Sequence, residues 1–343
     1  MSSTIKDVAR LAGVSPSTVS RVLNQKGTIS EDTKSRIYQA MDQLKYVPND
    51  IARNFANGSP RTIALVIDVA DAGAYANSFF NNSIFGIETA AHRNGYSLMI
   101  TNGSEAFGGI SGVERLILGK KVDGVIFPIS LVNQDFLRKI DEIHFPCVIL
   151  GKADECSVDM SWVDINNIQA GTIAARHMLR KGYNRIFFLS DSGEDAFNRD
   201  RIYGYSRELS ANGIPAEEQR VIHIDADINQ AVERIGELLA SDDAPDGVIC
   251  SSDRLALGAL RAAVKAGLKV PDEFGCLSFD RTAVTDLSDP TITCIDVDTF
   301  ELGIQAAEML IEQVEDPMSS MRQVLLSTKI IERQSTAHQE HSQ

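Results

Sequence analysis

The chain of 343 residues has no run of 18 or more apolar residues, which is the length needed to cross a lipid bilayer. Its first ten residues, MSSTIKDVAR, lack the basic end and apolar core of a secretory signal. The five cysteines are scattered and form no CxxC motif, which is typical of free thiols in a reducing compartment. These absences predict a soluble, cytoplasmic protein without disulfides.

The motifs of common catalytic sites are also missing. The sequence contains no HExxH, no GxSxG and no GxxxxGKS/T, and no serine and histidine are paired at a useful spacing. The six histidines are isolated, and no cluster of cysteine and histidine indicates a metal site. We therefore predict that the protein is not an enzyme and that it uses neither a metal nor a cofactor.

Positive charge is scarce overall and unevenly placed, with a formal net charge of −14. Residues 1–60 contain eight Lys or Arg against five Asp or Glu, whereas the rest of the chain contains 25 basic and 42 acidic residues. A small basic segment is thus joined to a large acidic one. Because a contacting face is local, the negative net charge does not exclude a polyanionic partner of the amino-terminal segment.

The first 60 residues have the pattern of short capped helices. Thr4, Ser15 and Ser30 each precede an amphipathic stretch, and Gly13 ends the first of these stretches. Two short helices joined by a glycine turn are the arrangement of a helix-turn-helix, whose second helix lies in the major groove of DNA. A small helical bundle with a polar face fits the capping pattern as well.

The chain between this segment and the rest contains the breaks expected of a linker. A fourth short helix is predicted over 50–56, and Ser59-Pro60 marks a domain boundary. From residue 61, short apolar runs alternate with amphipathic stretches. The predicted strands are TIALVI, YSLMIT, DGVIFP, PCVILG, RIFFLS, RVIHI, DGVICS and CLSFD, with helices at 84–94, 166–181, 199–212, 228–240 and 253–267. Continuous apolar strands separated by helices predict two α/β lobes of parallel strands, with ligands bound beyond the carboxyl ends of the strands.

The motif TIKDVARLAGVSPSTVSRVLN, followed by YVPNDIAR, resembles the headpiece and hinge of the LacI/GalR family of bacterial transcription repressors, and a looser resemblance continues to Arg333. It implies an α/β protein with an all-α helix-turn-helix headpiece (1–48), a hinge helix and linker (49–60), and a two-lobed, periplasmic-binding-protein-like core of type I (61–333). The first lobe would comprise about 61–160 and 292–322, the second lobe about 161–291 and 323–333, and the flexible tail 334–343. The chain would cross between the lobes near residues 160, 291 and 322.

The resemblance also implies how double-stranded DNA is bound. A homodimer is expected on a pseudo-palindromic operator, with the two second helices in major grooves and paired hinge helices in the central minor groove. Nothing after Arg333 resembles a leucine heptad, which favours a dimer over a tetramer. The implied base-reading residues are Pro16, Ser17 and Arg21; the phosphate contacts are Thr4, Ser15, Thr18, Asn24 and Asn49; the hinge residues in the minor groove are Arg53, Phe55 and Ala56.

Phe55 departs from the family pattern, which places a leucine at this position. Phenylalanine is a known type of wedge between base pairs, so intercalation in the minor groove stays open. Packing of the two hinge helices against each other through Phe55, without insertion, is the alternative.

The core is expected to bind a small sugar between its lobes, through polar residues that follow strands. The resemblance assigns Arg201 in RDRIYGY to this cleft, together with carboxylates after two strands and an aromatic pair at the mouth. The effector-binding residues it implies are Asp71, Phe79, Phe80, Trp162, Arg201, Asp225, Asp253 and Asp280. Alternatives remain for two of them, because Asp253 could cap the helix that follows it and Trp162 could be a core residue. The Asp225-Ala226-Asp227 run predicts a smaller or more acidic cleft wall than the aromatic found in several relatives.

Several stretches look most like the maltose or maltodextrin regulators of the family: NSFF, GKKVDGVIF, FPCVILGK, VDINNIQAG, IDVDTFELG and KIIERQST. They imply a repressor of carbohydrate-utilisation genes that responds to maltose or a maltodextrin. The alternatives are another sugar, a purine or nucleoside, or a phosphocarrier protein as effector. A sugar-binding protein or a glycosidase, using Asp253 and Asp280 as its carboxylate pair, is opposed by the attached headpiece.

Overall fold

The computed structural model describes residues 3–23, 27–47, 59–67, 78–103, 106–107, 110–153, 158–191, 196–215, 220–225 and 227–337. The chain divides into two compact units, Met1–Pro60 and Arg61–Gln343. In the described ranges, no helix is both long enough and apolar enough to span a membrane.

The amino-terminal unit, called the headpiece below, contains helices α1 (Ile5–Ala12), α2 (Pro16–Leu23) and α3 (Glu31–Leu44). Each helix turns one apolar face inward, and these faces form a small core that includes Val8, Val19 and Ile37. The predicted fourth helix over 50–56 lies outside the described residues. The three helices agree with the sequence-based expectation for a helix-turn-helix.

The turn between α1 and α2 is fixed by a backbone dihedral angle and by a hydrogen bond. Gly13 has a φ of 68°, in the left-handed region that favours glycine. Arg36 of α3 donates a hydrogen bond from Nη1 to the carbonyl oxygen of Ala12, at 3.1 Å. The third helix therefore holds the end of α1 and sets the angle at which α2 leaves the turn.

The second unit contains two six-stranded sheets with helices packed on their faces. The first sheet has the order β13-β7-β6-β5-β1-β2, and its strand pairs are all parallel. Its strands are β1 (Thr62–Ile67), β2 (Ser97–Asn102), β5 (Gly124–Pro128), β6 (Cys147–Leu150), β7 (Ser161–Ile165) and β13 (Gln323–Leu326). The helices of this lobe are α4 (Ser78–Arg93), α5 (Gly112–Leu118), α6 (Gln134–Glu142) and α12 (Thr299–Glu315), and a small hairpin joins β3 (Ala106–Phe107) to β4 (Ile110–Ser111).

The second sheet has the order β14-β12-β11-β10-β8-β9, with only β14 antiparallel to its neighbour. Its strands are β8 (Ile186–Asp191), β9 (Arg220–Ile224), β10 (Gly247–Cys250), β11 (Gly275–Phe279), β12 (Thr293–Asp296) and β14 (Lys329–Ile331). Its helices are α7 (Asn167–Arg180), α8 (Ala196–Ala211), α9 (Ile228–Leu239), α10 (Asp253–Lys265) and α11 (Ala283–Leu287). Each sheet separates two hydrophobic clusters, as expected for apolar strands covered on both faces.

The chain passes between the two sheets three times, and each passage lies one strand later than predicted. β7 and β13 pair in the first sheet and β12 pairs in the second, so the passages follow these strands. The predicted crossings near 160, 291 and 322 are therefore wrong by the length of one strand. The strands at these boundaries are short, with the sequences SWVDI, TCID and QVLL. Their pairing partners lie far away in the sequence, so the sequence does not show which sheet each strand joins.

Residues 334–337 belong to the second lobe, which corrects the predicted flexible tail over this range. Ser335 and Thr336 are completely buried. The Ser335 hydroxyl donates to the carbonyl of Cys276 at 2.5 Å, and the N–H of Thr293 donates to the Ser335 hydroxyl at 2.8 Å. These bonds tie the residues after β14 to β11 and β12.

We expect the stability of the protein to fall in acid partly through His177 on α7, whose ring nitrogen lies 2.8 Å from the Thr336 hydroxyl. Burial lowers the pKa of His177 to about 4, outweighing the opposing charge of Glu332. The unfolded chain then binds the proton more readily, so this residue's share of stability is complete above pH 6.5 and is lost as the pH falls towards 4. The loss amounts to roughly 3 kcal/mol.

Thermal unfolding between pH 7 and pH 4 checks this expectation. His177→Gln keeps a partner for Thr336 but cannot titrate, so its profile should be flatter than that of the unmodified protein. His92→Gln, at an exposed position on α4, is the matched control and should leave the profile unchanged. Equal slopes for the unmodified protein and the His177 variant would contradict the assignment.

Candidate functional site

The exposed face of α2 carries most of the predicted base-reading and phosphate-binding side chains. Pro16, Ser17 and Arg21 are exposed, and Thr18 is half-buried. The Ser15 hydroxyl accepts from the N–H of Thr18 at 3.2 Å, which caps the helix, and lies 2.8 Å from the Ser17 hydroxyl. The start of α2 is therefore an ordered, polar surface from which Arg21 projects one turn further on.

Four of the six Lys and Arg residues described in the headpiece are paired with acids of their own helix. The ion pairs are Arg10–Asp7, Lys34–Glu31, Arg36–Asp32 and Lys45–Asp42. Among the described headpiece residues, only Lys6 and Arg21 have a charge without an ion pair. Sequence reasoning missed Lys6, although the absence of an acid three or four positions away from it on α1 was a readable signal.

Thr4 is engaged differently from the prediction of a phosphate contact. Its N–H and hydroxyl both donate to the carboxylate of Asp7, at 3.0 and 2.7 Å. A phosphate would have to compete with this carboxylate for the hydroxyl. Of the other predicted residues, Asn24, Asn49, Arg53, Phe55, Ala56, Asp71 and the side chain of Phe79 lie outside the described residues.

In the second unit, Arg201 is the centre of a buried polar cluster, and its side chain is only 4% exposed. It lies on α8, where Nε donates to the amide oxygen of Asn167 at 3.0 Å and Nη1 donates to the carbonyl of Ser251 at 3.4 Å. The guanidinium also lies over two aromatic rings, 4.2 Å from the centroid of Phe279 and 5.1 Å from that of Phe197. Its orientation is thereby fixed from four sides.

The backbone at Arg201 is held by close helix packing. A Cβ atom at Gly171 of α7 would lie 1.9 Å from the Arg201 carbonyl oxygen, so only glycine permits this approach of α7 to α8. The first residue of α7 is Asn167, the partner of Nε. One helix therefore positions both the main chain and the side chain of Arg201, directly after the first passage between the sheets.

Carboxylates from both sheets act on this guanidinium. Burial lowers the pKa of Arg201, and the negative charges of Asp280, Asp164 and Asp191 oppose that effect. Burial raises the pKa of Asp280, while Arg201 opposes the rise; burial also raises the pKa of Asp164. Asp280 follows β11 with a φ of 65°, and its Oδ1 is buried with no hydrogen-bond partner among the described residues.

Asp253 does not cap α10, so the structural alternative for this residue is wrong. Ser252 caps the helix by accepting from the N–H of Leu255 at 3.5 Å, and Asp253 is the first helical residue. The Asp253 carboxylate accepts instead from the Thr282 hydroxyl at 2.7 Å. Its charge is near enough to Asp280 to raise the pKa of that residue further.

Three other predicted effector residues lie apart from the cluster. Trp162 is 4% exposed within β7 and belongs to a hydrophobic core of the first lobe, which favours the core role left open for it. Its Nε1 is buried without a hydrogen-bond partner among the described residues. Phe80 packs against the other core of that lobe. Asp225 is exposed after the edge strand β9 and accepts from the Gln230 side chain at 3.1 Å.

Sequence reasoning missed several members of the cluster. They are Asp164, Asn167, Asp191, Asn198 and Ser251. Asp191 and Ser251 follow or end strands of the second sheet, so the rule that ligands lie beyond carboxyl ends could have found them. Within the described ranges, no group of three or more metal-ligating side chains is arranged to hold a metal ion.

Comparisons with known proteins agree with both units. Residues 4–49 match the family model "Bacterial regulatory proteins, lacI family", and residues 175–336 match "Periplasmic binding protein-like domain". The regulator MalR of Streptococcus pneumoniae is 32% identical over 337 residues, covering 96% of this chain and 99% of the relative. The repressor PurR of Vibrio campbellii is 30% identical over 331 residues, covering 96% and 97%.

Solved structures show the same architecture. A complex of the transcriptional regulator CelR with cellobiose has a TM-score of 0.68 at 27% identity, covering 97% of this chain and 99% of that one. The lac repressor dimer bound to operator and an anti-inducer has a TM-score of 0.81 at 23% identity, covering 98% and 100%. At that identity the lac repressor supports the fold alone.

A helix-turn-helix headpiece followed in the chain by a two-lobed, periplasmic-binding-protein-like core defines a DNA-binding regulator with an effector-binding domain. The chain belongs to the lacI family of bacterial regulatory proteins. It is a transcriptional regulator, as the resemblance of its first 56 residues predicted.

Proposed function

We propose that this regulator represses carbohydrate-utilisation genes and that its effector is a neutral sugar, maltose or a maltodextrin, bound around Arg201. The observation that carries the proposal is the cluster itself: an oriented guanidinium between aromatic rings, with carboxylates beside it. Such groups suit hydroxyls, which donate to carboxylates and accept from guanidinium. The MalR relative and the sequence stretches shared with maltose regulators support the choice of sugar.

The charge of the cluster argues against a phosphorylated effector. Asp164, Asp191 and Asp280 surround a single guanidinium. Three acidic side chains thus act on one basic side chain. The site is therefore not positive, and an added phosphate would be repelled at short range in a poorly hydrated environment. A neutral polyol meets no such penalty.

A purine is the second candidate, because the PurR relative is almost as similar as MalR. Thermal unfolding in the presence of maltose, maltotriose, hypoxanthine or a maltose phosphate separates the candidates. A ligand at a hundred times its Kd stabilises the folded state by about 2.7 kcal/mol. We expect stabilisation by maltose or maltotriose and none by the phosphate; stabilisation by hypoxanthine alone would overturn the sugar assignment.

We propose that the effector acts by changing the arrangement of the two lobes. The three passages between the sheets, after β7, β12 and β13, are the points at which such a change must be absorbed. The effector has to bind the two arrangements unequally, since equal affinity would shift no population. For a sugar inducer, the arrangement it favours is the one in which segment 49–60 does not engage the minor groove.

Lys6 is expected to contribute to operator binding without contributing to specificity. Lys6→Ala should weaken binding to operator and to unrelated DNA by similar factors, because a lysine on a phosphate carries no sequence information. The slope of log Kd against log salt should fall by about 0.9 for each lysine in a dimer. Salt-dependent binding titrations measure it, and Lys34→Ala, whose lysine is paired with Glu31, is the matched control.

We propose homodimerisation in part through a groove between α10 and α11 in the second lobe. Apolar side chains line it, and two of them, Leu287 and Val264, are 83% and 57% exposed. Exposed apolar side chains grouped in one groove with charged neighbours, here Arg261 and Lys265, suit a contact between copies of a chain.

Leu287→Glu should convert the dimer to a monomer, because a buried, unpaired carboxylate opposes association. Operator affinity should then fall at least 100-fold, since each monomer reads only half of the site. Sedimentation velocity and DNA titration measure the two effects. Ile143→Glu, at a 58% exposed position following α6, is the control; a dimeric Leu287 variant would remove the groove from the interface.

A further inference from the structure

Asn198 is a buried amide that neither the family resemblance nor the sequence pattern assigned to the site. It lies on α8, one turn before Arg201, and is 2% exposed. Residues three positions apart lie on the same face of a helix, so Asn198 and Arg201 face the same region. Their side chains are also joined through a chain of hydrogen bonds.

That chain runs through the carboxyl ends of two strands. The Asn198 side-chain nitrogen donates to Asp191 Oδ1 at 2.5 Å, and the N–H of Asp191 donates to the Ser251 hydroxyl at 3.1 Å. The Ser251 carbonyl accepts from Arg201. Asn198 therefore belongs to the same polar cluster as Arg201, and Asp191 connects the two.

The orientation of the Asn198 amide is decided by charge. A flipped amide would place its oxygen against the carboxylate oxygen of Asp191 at the same short distance, with two acceptors facing each other. The nitrogen must therefore point to Asp191, and Oδ1 must point away from it. This Oδ1 is buried and has no hydrogen-bond partner among the described residues.

A buried acceptor without a donor costs free energy, so such groups are rare unless a ligand or water supplies the bond. Two buried acceptors in this cluster have no hydrogen-bond donor among the described residues: Asn198 Oδ1 and Asp280 Oδ1. Each of these oxygens can accept a hydrogen bond from a ligand. A molecule with several hydroxyl groups satisfies two separate acceptors and also accepts from Arg201.

We propose that Asn198, held by Asp191, is a specificity-determining residue that accepts a hydrogen bond from one hydroxyl of the effector. The proposal deepens the sugar assignment and rests on it. It adds a requirement that Arg201 alone does not impose: the effector must present a donor at the position of Asn198 Oδ1. An ether or a deoxy position there leaves the buried oxygen without a partner and is rejected.

Two variants test the proposal with maltose as the probe. Asn198→Leu keeps the branching of the side chain but has no acceptor, and Asp191→Asn removes the charge that fixes the amide. We expect each to raise the Kd for maltose at least 10-fold, since a lost hydrogen bond to a buried partner has this effect. Asn212→Ala is the control. Asn212 directly follows the same helix, and its side-chain amide donates a hydrogen bond to the Glu208 carbonyl. This variant should bind maltose as the unmodified protein does.

Monodeoxy analogues of maltose provide a readout that a merely structural role would not change. With the unmodified protein, one deoxy position should raise the Kd about 10-fold; with Asn198→Leu, the same analogue and maltose should bind equally. The second result identifies the hydroxyl that Asn198 binds. Because Asp191→Asn conserves volume, the inference stays testable if the leucine variant does not fold.

The outcomes separate the inference from the proposed function. If maltose and maltotriose fail to stabilise the unmodified protein, the sugar assignment is wrong, and the inference falls with it. If maltose binds the unmodified protein and both variants with equal Kd, the sugar assignment stands and the role of Asn198 is overturned. A tenfold loss in both variants, with Asn212→Ala unaffected, supports the inference.

Discussion

Arg201→Ala should abolish the response of operator binding to the sugar. The guanidinium is expected to make two charge-assisted hydrogen bonds to the effector, so its loss should cost about 3–5 kcal/mol of binding and raise the Kd by at least 100-fold. The measured quantity is the ratio of operator affinities with and without maltose, which should approach one. Isothermal titration with maltose gives the Kd independently.

Two further variants make this result interpretable. Arg201→Lys keeps the charge near Asp280 and Asp164 but loses the planar guanidinium. Compared with Arg201→Ala, it should regain more of the stability of the folded protein than of the affinity for maltose. Arg207→Ala removes an exposed arginine from the same helix and should respond to sugar normally. A normal response from Arg201→Ala itself would place the effector site elsewhere.

Arg21→Ala should remove discrimination between operator and random DNA. A bidentate pair between arginine and guanine accounts for about 1–3 kcal/mol of discrimination, and a dimer has two such arginines. The operator is first located by footprinting the DNA that flanks the protein's own gene. The ratio of Kd values for operator and scrambled DNA, at fixed salt, is then compared between the unmodified protein and the variant.

The paired cations of the headpiece supply the control for Arg21. Arg10 is ion-paired with Asp7 on α1, so Arg10→Ala should change the specificity ratio little. An unchanged ratio for Arg21→Ala would exclude Arg21 from base reading and leave Pro16 and Ser17 as the remaining candidates. Pro16 has no side-chain donor and contributes only shape and apolar contact.

Local features of the sequence were sufficient to predict the headpiece. Caps act within one turn, so Ser15 and Ser30 mark helix starts that the structure confirms through hydrogen bonds to Thr18 and Thr33. Gly13 marks the turn for an equally local reason, its positive φ. The long buried strands of the core were recognised by apolar runs alone.

The errors concern features that depend on distant parts of the chain. The sheet to which β7, β12 and β13 belong is set by pairing with strands that are distant in the sequence. The family resemblance pointed to Arg201 and Asp280, which the structure brings into electrostatic contact, and their role in binding an effector stays a prediction. It did not point to Asn198 and Asp191, since an amide becomes informative only when its partner fixes its orientation.

The buried residues that follow β14 determine when the second lobe can fold during translation. The headpiece helices are complete once residue 44 has been synthesised. The second lobe, by contrast, lacks an edge strand and the hydroxyls of Ser335 and Thr336 until the chain has been extended through residue 336. During translation, a nascent chain thus carries all three helices of its headpiece well before the second lobe can close its core.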